Sequence, residues 1–237
     1  MMQVISSYDP LDPASIKMLA GNYLRHLLND IEGRKIALGV GEFVETSDPE
    51  ILEALGAAAK IFAEGLGCRV QEVDVSWMRE AGLANVTMIR ADGAAVHRER
   101  LKEHPDWFGE DIRRRLEDGA KTSSTEYVLA RRTQAEVRKR CEQFFESYDF
   151  LITPTTPIAA PTIEGHDAVE QAAQLTRFTA PFNLTGLPAL SLPCGFTKAG
   201  LPIGLQIVSR AWADAKVLNA GYAFEQATEW HKKRPAL

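Results

Sequence analysis

A serine and a lysine that lie close together in the sequence are the first candidates for chemistry. Lys121 stands two residues before Ser123, and Ser124 follows directly. A serine paired with a lysine hydrolyses acyl compounds when burial lowers the lysine pKa and hydrogen-bond donors hold the oxyanion. The same serine also starts the pattern Ser-Ser-Thr-Glu, whose first and fourth residues typically form a capping box at a helix start. The pattern therefore favours a structural Ser123, and a hydrolytic site at Lys121 and Ser123 remains the alternative.

The other residue patterns with chemical meaning do not reach a complete motif. Gly39-Val40-Gly41 follows an apolar run, but Val44 stands where the dinucleotide-binding fingerprint needs its third glycine. We also expect no helix to begin there. The five histidines lack the spacing of zinc ligands, and there is no Cys-x-x-Cys pair. The sequence therefore predicts neither a metal site nor a bound cofactor.

Charge and composition exclude several classes of partner. The net charge is -5 at pH 7 and the isoelectric point is about 5.6, which argues against nucleic acid or an acidic membrane surface. No apolar stretch approaches the ~20 residues that span a membrane, and the N-terminal residues do not resemble a secretory signal. The three cysteines are widely spaced and odd in number, which indicates a reduced, cytoplasmic setting.

The spacing of apolar residues along the chain predicts a succession of strands and helices. Apolar runs over residues 34–40 and 69–75 predict two strands. The intervening helix is predicted to begin at a capping box formed by Ser47-Asp48-Pro49-Glu50. A strand, a helix and a second strand over this length predict a parallel βαβ unit. A short helix over residues 16–28 precedes this unit, and a helix-prone stretch over residues 77–101 follows it.

The second half of the chain combines one long helix with three further strands. We predict a helix over 110–116, a long helix after Ser123, strands over 151–153, 190–196 and 203–208, a weak helix over 168–176 and a last helix from Asp214 to Trp230. The last two strands are joined as a hairpin. These elements predict an α/β fold with a mixed sheet flanked by helices. We expect one domain over 1–237, or a division into a helix-rich part, 1–148, and a strand and loop part, 149–237.

Three runs rich in proline, threonine and glycine stand out in the second half. They cover residues 149–157, 179–193 and 200–207, and they include Thr-Pro-Thr-Thr-Pro and Asn-Leu-Thr-Gly-Leu-Pro-Ala-Leu-Ser. Residues 8–15 and residues 109–116, the latter with Gly119 behind them, add two fainter segments to this series. In this order the runs resemble the C-terminal part of the amidase-signature hydrolases. The sequence is therefore identified as a member of that family, and the resemblance implies a mixed sheet wrapped by helices.

The resemblance also implies where the catalytic groups of the family lie. In complete members, a lysine and two serines in Gly/Ser-rich loops cleave the amide, and this chain has no run of that kind. The resemblance therefore assigns no catalytic residue here. It implies an upstream portion that holds the nucleophile, either on a separate polypeptide or removed from this one. We expect this chain to supply the scaffold and one wall of the substrate cleft, and to hydrolyse little or no amide alone.

Six residues are candidates for that wall because their segments resemble parts that border the cleft in the family. They are Thr155 and Thr156 in the proline-rich loop, Thr176 and Asn183 in the next signature segment, and Arg114 and Arg115 in the middle region. In the glutamyl-tRNA amidotransferase branch, an arginine of the middle region binds the substrate carboxylate, and an aspartate stands at the place of Thr176. The threonine therefore favours a general amidase that acts on a small-molecule amide.

Two other functions stay open beside the half-enzyme. A non-catalytic homologue would serve as a binding or assembly module, and a stand-alone hydrolase would rely on Lys121 and Ser123. A half-enzyme should bind an upstream amidase half or form a homo-oligomer, because strands that normally meet the catalytic core would be exposed. A self-sufficient module should instead unfold cooperatively as a monomer or a defined dimer.

Overall fold

A computed structural model describes residues 2–17, 22–27, 30–162 and 168–234, without the side chains of residues 168–171. In this part of the chain one sheet contains the strands β1 (Lys35–Val40), β2 (Arg69–Asp74), β3 (Phe150–Pro154), β4 (Ala189–Phe196) and β5 (Pro202–Val208). The helices are α1 (Met2–Ile5), α2 (Tyr23–His26), α3 (Glu42–Glu45), α4 (Pro49–Lys60), α5 (Arg79–Glu103), α6 (Glu110–Gly119), α7 (Ser124–Ser147), α8 (Ala168–Leu175), α9 (Ala180–Thr185) and α10 (Asp214–Gln226). The strand order is β2-β1-β3-β5-β4. A mixed sheet flanked by helices confirms the predicted α/β fold.

The parallel half of the sheet forms as predicted. β1 lies between β2 and β3 and is parallel to both, with Leu38 in register with Glu72 on one side and Ile152 on the other. α4 connects β1 to β2 and continues as a π-helical turn over Ile61–Gly65. The predicted βαβ unit is therefore confirmed.

Two local predictions at the start of this unit are wrong. Asp48, not Ser47, is the N-cap residue of α4, and the Ser47 hydroxyl donates to the Val44 carbonyl oxygen at 2.7 Å. The short helix α3 begins directly after Gly41, where we expected none. Gly41 has a φ of +92°, a conformation that glycine adopts at little cost, and it turns the chain from β1 into α3. The Ser47 hydroxyl therefore closes the turn at the end of α3 instead of forming the expected capping box on α4.

Two other helices are shorter than predicted. Within 16–28 the structure describes one helical turn, α2, while residues 16 and 17 are not helical and residues 18–21 and 28–29 lie outside the described part. α10 ends at Gln226, and Trp230 lies in a separate 3-10 turn. The helices predicted over 77–101, 110–116 and 168–176 are present as α5, α6 and α8.

The antiparallel half of the sheet consists of β3, β5 and β4. Ser191 of β4 is in register with Gln206 of β5, which is in register with Thr153 of β3. β4 and β5 form the predicted hairpin, and Gly200, with a φ of +80°, closes its turn. Because side chains alternate between the two faces of a sheet, this register places Ser191, Gln206 and Thr153 in one row on one face.

A continuous hydrophobic core lies between the sheet and the helices. α4 and α10 pack against β4 and β5. Phe62 of the π-helical turn stacks on Phe224 of α10, with 5.3 Å between the ring centroids, and both rings are fully buried. Buried residues from β1, β3 and β5 belong to the same cluster. Strands from residues 1–148 and 149–237 share this core, and the choice between one domain and two stays a prediction.

α5, α6 and α7 form a helical layer beside the sheet. α7 begins at the predicted capping box: Glu126 N donates to Ser123 Oγ at 3.2 Å, and Ser123 N donates to Glu126 Oε2 at 2.8 Å. α5 packs against α6, α7 and α9. Gln134 on α7 joins this layer to α9 by donating to the Leu184 carbonyl oxygen at 2.7 Å. The helical layer thus holds α9 in place.

Candidate functional site

The carboxyl ends of β1, β2 and β3 lie at one end of the sheet because these strands are parallel. In open α/β sheets, ligands bind in the crevice outside these carboxyl ends. β3 ends there at Pro154, and the proline-rich loop with Thr155 and Thr156 follows directly. The fold therefore places two of the predicted wall residues where a ligand site is expected.

A pair of hydroxyl groups forms the centre of this region. Thr155 Oγ1 and Ser191 Oγ are hydrogen-bonded at 2.7 Å, and they meet above Gly204 of β5. A Cβ atom at Gly204 would lie 2.8 Å from Thr155 Oγ1 and 3.2 Å from Ser191 Oγ. Thr155 N also donates to the Gly204 carbonyl oxygen at 2.8 Å. The missing side chain at Gly204 therefore makes room for the hydroxyl pair.

Gln206 of β5 and Thr153 of β3 form a buried polar row beside the hydroxyl pair. Gln206 Nε2 donates to Thr153 Oγ1 and to the Phe178 carbonyl oxygen, each at 3.1 Å. Thr153 Oγ1 donates to the Pro154 carbonyl oxygen at 3.1 Å. Gln206 and Thr153 are both 2% exposed, so their hydrogen bonds are needed to offset the cost of burial. This row ties the segment before α9 to the middle of the sheet.

The loop after β3 is held in place from two sides. Thr156 Oγ1 donates to the Ile158 carbonyl oxygen at 2.8 Å. Asp48 N, at the start of α4, donates to the Pro157 carbonyl oxygen at 2.9 Å. Thr156 therefore shapes the loop, while the hydroxyl of Thr155 is the one that points to the neighbouring strands.

Thr176 has a local hydrogen bond at the end of α8. Its hydroxyl donates to the Ala172 carbonyl oxygen at 2.7 Å, and the residue is exposed. The next residue, Arg177, lies with its guanidinium 4.7 Å from the ring centroid of Phe178 and donates to Ser47 Oγ at 3.5 Å. Burial, followed by the charge of Arg79, lowers the pKa of Arg177. Sequence reasoning named Thr176 and missed this neighbouring arginine.

Asn183 lies at the other end of the sheet. It lines an open groove of about 690 Å³ together with Arg138, Arg210 and Trp212. This groove is near the end of β5, where Val208 pairs with the start of β3 rather than with its carboxyl end. The groove therefore does not coincide with the hydroxyl pair, in spite of its size. We place the candidate site at the hydroxyl pair because the direction of the parallel strands and the converging polar groups both point there.

Arg114 and Arg115 lie on α6, which packs against α5. The hydroxyl pair lies on the strand β4 and on the loop that follows β3. The structure therefore places the two arginines and the hydroxyl pair on different layers of the molecule. Their role in binding a substrate carboxylate stays a prediction.

Lys121 and Ser123 have structural partners. Lys121 Nζ lies 2.9 Å from Asp118 Oδ1, and this hydrogen bond, with the charge of Asp118, raises the pKa of Lys121. Ser123 Oγ donates to Glu126 Oε2 at 2.7 Å within the capping box. A lysine that activates a serine needs a lowered pKa. The observed contacts thus support the structural role of Ser123.

Sequence reasoning also missed Ser191 and Gln206, which lie within two predicted apolar strands. The available signal is their alternation: each polar residue stands between apolar neighbours in a predicted hairpin. Chemically, the described hydrogen bonds of Ser191 and Thr155 reach each other and include no basic group. A serine nucleophile needs an adjacent base. The pair is therefore suited to orienting a polar substrate group.

The three cysteines are free and buried. Burial raises the pKa of Cys141 and Cys194 to about 12, and burial together with nearby carboxylates raises that of Cys68 to about 11. Across the described ranges, no three His, Cys, Asp or Glu side chains are grouped to hold a metal ion. Those ranges also contain no helix that is long and apolar enough to cross a membrane.

The mixed sheet and its polar carboxyl end define an α/β protein, and sequence comparison identifies its family. The family model for amidases matches residues 1–218. A glutamyl-tRNA(Gln) amidotransferase subunit of Thermodesulfovibrio yellowstonii is 31% identical over 264 residues, and an amidase of Pseudomonas putida is 33% identical over 244 residues. The alignments cover 100% of this chain but 54% and 52% of those proteins. The chain belongs to the amidase-signature family of amide hydrolases.

Solved structures show the same fold. A bacterial aryl acylamidase of the amidase-signature family has a TM-score of 0.79 at 24% identity, covering 97% of this chain and 52% of that chain. The corresponding glutamyl-tRNA(Gln) amidotransferase subunit of Thermotoga maritima has a TM-score of 0.71 at 27% identity, covering 90% and 46%. The chain thus spans about half the length of the curated relatives and of the solved structures that it matches.

Proposed function

We propose that this chain is the C-terminal portion of an amidase and supplies the scaffold and one wall of the substrate cleft. The nucleophile lies on the upstream portion of the fold. The observation that carries this proposal is the hydroxyl pair of Thr155 and Ser191. The pair is held at the carboxyl end of the parallel strands, and its described hydrogen bonds include no base that would activate it.

The wall would orient a small-molecule amide. Hydroxyl groups donate to a carbonyl oxygen and accept from an amide N–H, so the pair serves either side of the scissile bond. Thr176, at the place of the aspartate of the transamidating branch, supports a general amidase. In this proposal Thr156 shapes the loop, and Arg114 or Arg115 binds a carboxylate where the substrate has one. Asn183 lines the groove at the other end of the sheet and is not assigned to the wall at the hydroxyl pair.

The partner of this wall is the upstream half of the amidase fold, whether it is continuous with this chain or separate. A homo-oligomer that shares its site is the alternative assembly. We place the protein in a reducing, cytoplasmic compartment, because all three cysteines are free and buried in an inert environment. Neither nucleic acid nor a membrane is needed for the proposed activity.

The test compares this chain with a fusion protein. In the fusion, the half of the Pseudomonas putida amidase that this chain does not cover is joined ahead of Met1. We expect the purified chain to leave a chromogenic aryl amide and a simple aliphatic amide unhydrolysed, and the fusion to hydrolyse at least one. In the fusion, Thr155→Val should raise KM more than it lowers kcat, because the hydroxyl orients the substrate.

Two results would contradict the proposal. Robust amide hydrolysis by the chain alone would show that it contains its own nucleophile, and loss of that activity in Ser123→Ala would identify the Lys121 and Ser123 site. An inactive fusion that still contains a folded upstream half would instead favour a binding or assembly module. The shared hydrophobic core of the described strands is the observation that keeps this second function open.

A further inference from the structure

Arg177 lies between α8 and α9, and the described part of the chain gives its guanidinium group no counter-ion. Its hydrogen bond to Ser47 Oγ is long, at 3.5 Å, and its Nε atom is buried without a partner. Across the described residues, no carboxylate forms an ion pair with it. A partly buried charge without a counter-ion costs stability. This side chain is therefore suited to an anion that comes from outside the described part.

Two aromatic rings and a second cation surround this guanidinium group. Its central carbon lies 4.7 Å from the ring centroid of Phe178 and 5.9 Å from that of Phe43. The two rings are buried and contact each other edge to face, with 5.1 Å between their centroids. They exclude water on their side, which strengthens ionic hydrogen bonds there. The positive charge of Arg79 is also close enough to contribute, after burial, to the lowered pKa of Arg177.

The acidic residues of α3, the helix that contains Phe43, have other partners. Glu42 Oε1 lies 3.0 Å from Arg79 Nη2. Glu45 Oε1 accepts a hydrogen bond from Gly41 N at 3.1 Å. Both carboxylates are therefore engaged, and the charge of Arg177 stays available for a ligand.

Arg177 lies at the same end of the sheet as the hydroxyl pair. Its partner Ser47 stands between α3 and α4, directly after the carboxyl end of β1. The next residue, Asp48, donates through its N–H to the Pro157 carbonyl oxygen in the loop that follows β3. Arg177 is partly exposed, so a ligand in the crevice at the carboxyl ends of the parallel strands can reach it.

We propose that Arg177 binds a carboxylate group of the substrate, so that the amidase acts on amides that also carry an acid group. This inference rests on the proposed function and names its substrate class. The planar guanidinium group presents parallel N–H donors that match the two oxygens of a carboxylate, and such hydrogen bonds are charge-assisted. Ser47 is a positioning residue: its hydroxyl donates to the Val44 carbonyl oxygen and accepts from Arg177.

Binding of benzoate to the purified chain tests the site without any need for activity. Benzamide is the matched neutral probe, because an uncharged amide replaces the carboxylate in a molecule of similar shape. We expect millimolar benzoate to shift the NMR signal of the Arg177 Nε–H group, and benzamide to leave it in place. Arg177→Gln should raise the dissociation constant of benzoate at least about tenfold. Arg177→Lys should raise it less, because lysine keeps the charge but lacks the planar fork.

Arg132→Gln is the control with the same change in net charge. Arg132 is exposed on α7 and lies 2.9 Å from Glu136, so its loss should leave benzoate binding unchanged. The signal of the wild-type Nε–H group decides the question even if Arg177→Gln does not fold. An Arg177 signal that millimolar benzoate leaves in place would overturn the inference. Inorganic phosphate that binds more tightly than benzoate would overturn the assignment to a carboxylate.

The fusion with the upstream half of the Pseudomonas putida amidase tests the substrate class. Acetanilide and 4-acetamidobenzoate are aryl amides that differ by one carboxylate. We expect the fusion to have the lower KM for 4-acetamidobenzoate, and Arg177→Gln to raise this KM more than that for acetanilide. The same effect in Arg114→Gln or Arg115→Gln, with none in Arg177→Gln, would place the carboxylate at α6 and overturn the inference.

The outcomes separate this inference from the proposed function. If the chain binds benzoate through Arg177 while the fusion hydrolyses neither anilide, the carboxylate site stands and the proposed function fails. If the fusion hydrolyses the anilides while benzoate binds equally to the wild type and to Arg177→Gln, the carboxylate site is wrong and the proposed function stands.

Discussion

Substituting Gly204 with alanine tests the central geometry of the candidate site. The new Cβ would lie 2.8 Å from Thr155 Oγ1, 3.0 Å from Thr155 Cβ and 3.2 Å from Ser191 Oγ. Real Cβ atoms essentially never lie closer than 3.0 Å to another heavy atom, so Thr155 has to move. Gly204 has no positive φ, so alanine fits the backbone without strain, and the loss of stability comes from the crowding and from the hydrogen bond that it breaks.

The expected cost follows from three contributions. Overpacking of this kind destabilises a protein by about 1–3 kcal/mol. Breaking the bond between Thr155 and Ser191 removes a further ~0.5–1.5 kcal/mol. The lower entropy of the unfolded chain with alanine offsets about 0.4–1 kcal/mol. We therefore expect Gly204→Ala to lower the free energy of unfolding by about 0.5–4 kcal/mol.

Urea unfolding of the purified chain measures this change. Gly56→Ala on α4 is the matched control, because its new Cβ would meet no atom within 4 Å. That substitution should raise the stability by about 0.5–1 kcal/mol. The double variant with Thr155→Ala should recover part of the loss, because the closest atom is gone. A Gly204→Ala chain as stable as the wild type would refute the assigned hydroxyl geometry.

Three further predictions concern the buried row, the thiols and the cap. Gln206→Leu should cost about 1–3 kcal/mol of unfolding free energy in urea, because it leaves the Phe178 carbonyl oxygen unpaired, whereas the exposed Gln226→Leu should be nearly neutral. Cys141 and Cys194 should resist thiol labelling at pH 8 until urea unfolds the chain, and labelling of the native chain would contradict their burial. Unfolded thiols ionise near pH 9.0, and the buried ones near 12, so these thiols should stabilise the fold fully below pH 9 and progressively less towards pH 12. Ser123→Ala should cost about 1 kcal/mol in the same unfolding assay and leave any hydrolysis by the fusion unchanged.

Most of the elements could be predicted from the sequence because their signals are local. The capping box at Ser123 involves residues of a single helical turn. The strands β1 and β2 are indicated by apolar residues that follow one another, or alternate with polar ones, within six or seven positions. The two predictions that failed at the start of the βαβ unit did so because a different local contact determined the structure there. Ser47 had the sequence of a cap, but its hydroxyl bonds back to Val44, and a positive φ at Gly41 starts an extra helix.

The candidate site was predicted only in part. Thr155 was named because its loop resembles the family, but its partner Ser191 lies 36 residues further along the chain. Gln206 and Thr153 are 53 residues apart and meet because β5 inserts between β3 and β4. No pattern within a short segment indicates which strands become neighbours. Asn183 shows the same limit, since it belongs to the signature region yet lines the groove at the opposite end of the sheet.

The sequence by itself determined the family, the sheet and helix elements and the proline-rich loop, because runs of residues specify these through local conformation and burial. The tertiary structure decided which side chains meet. It set the strand order, the row from Ser191 to Thr153 and the hydroxyl pair above Gly204. It also left β2 and β4 as the two outer strands of the sheet in the described part of the chain. These features depend on register between distant strands, where a shift of one residue would turn each side chain to the other face.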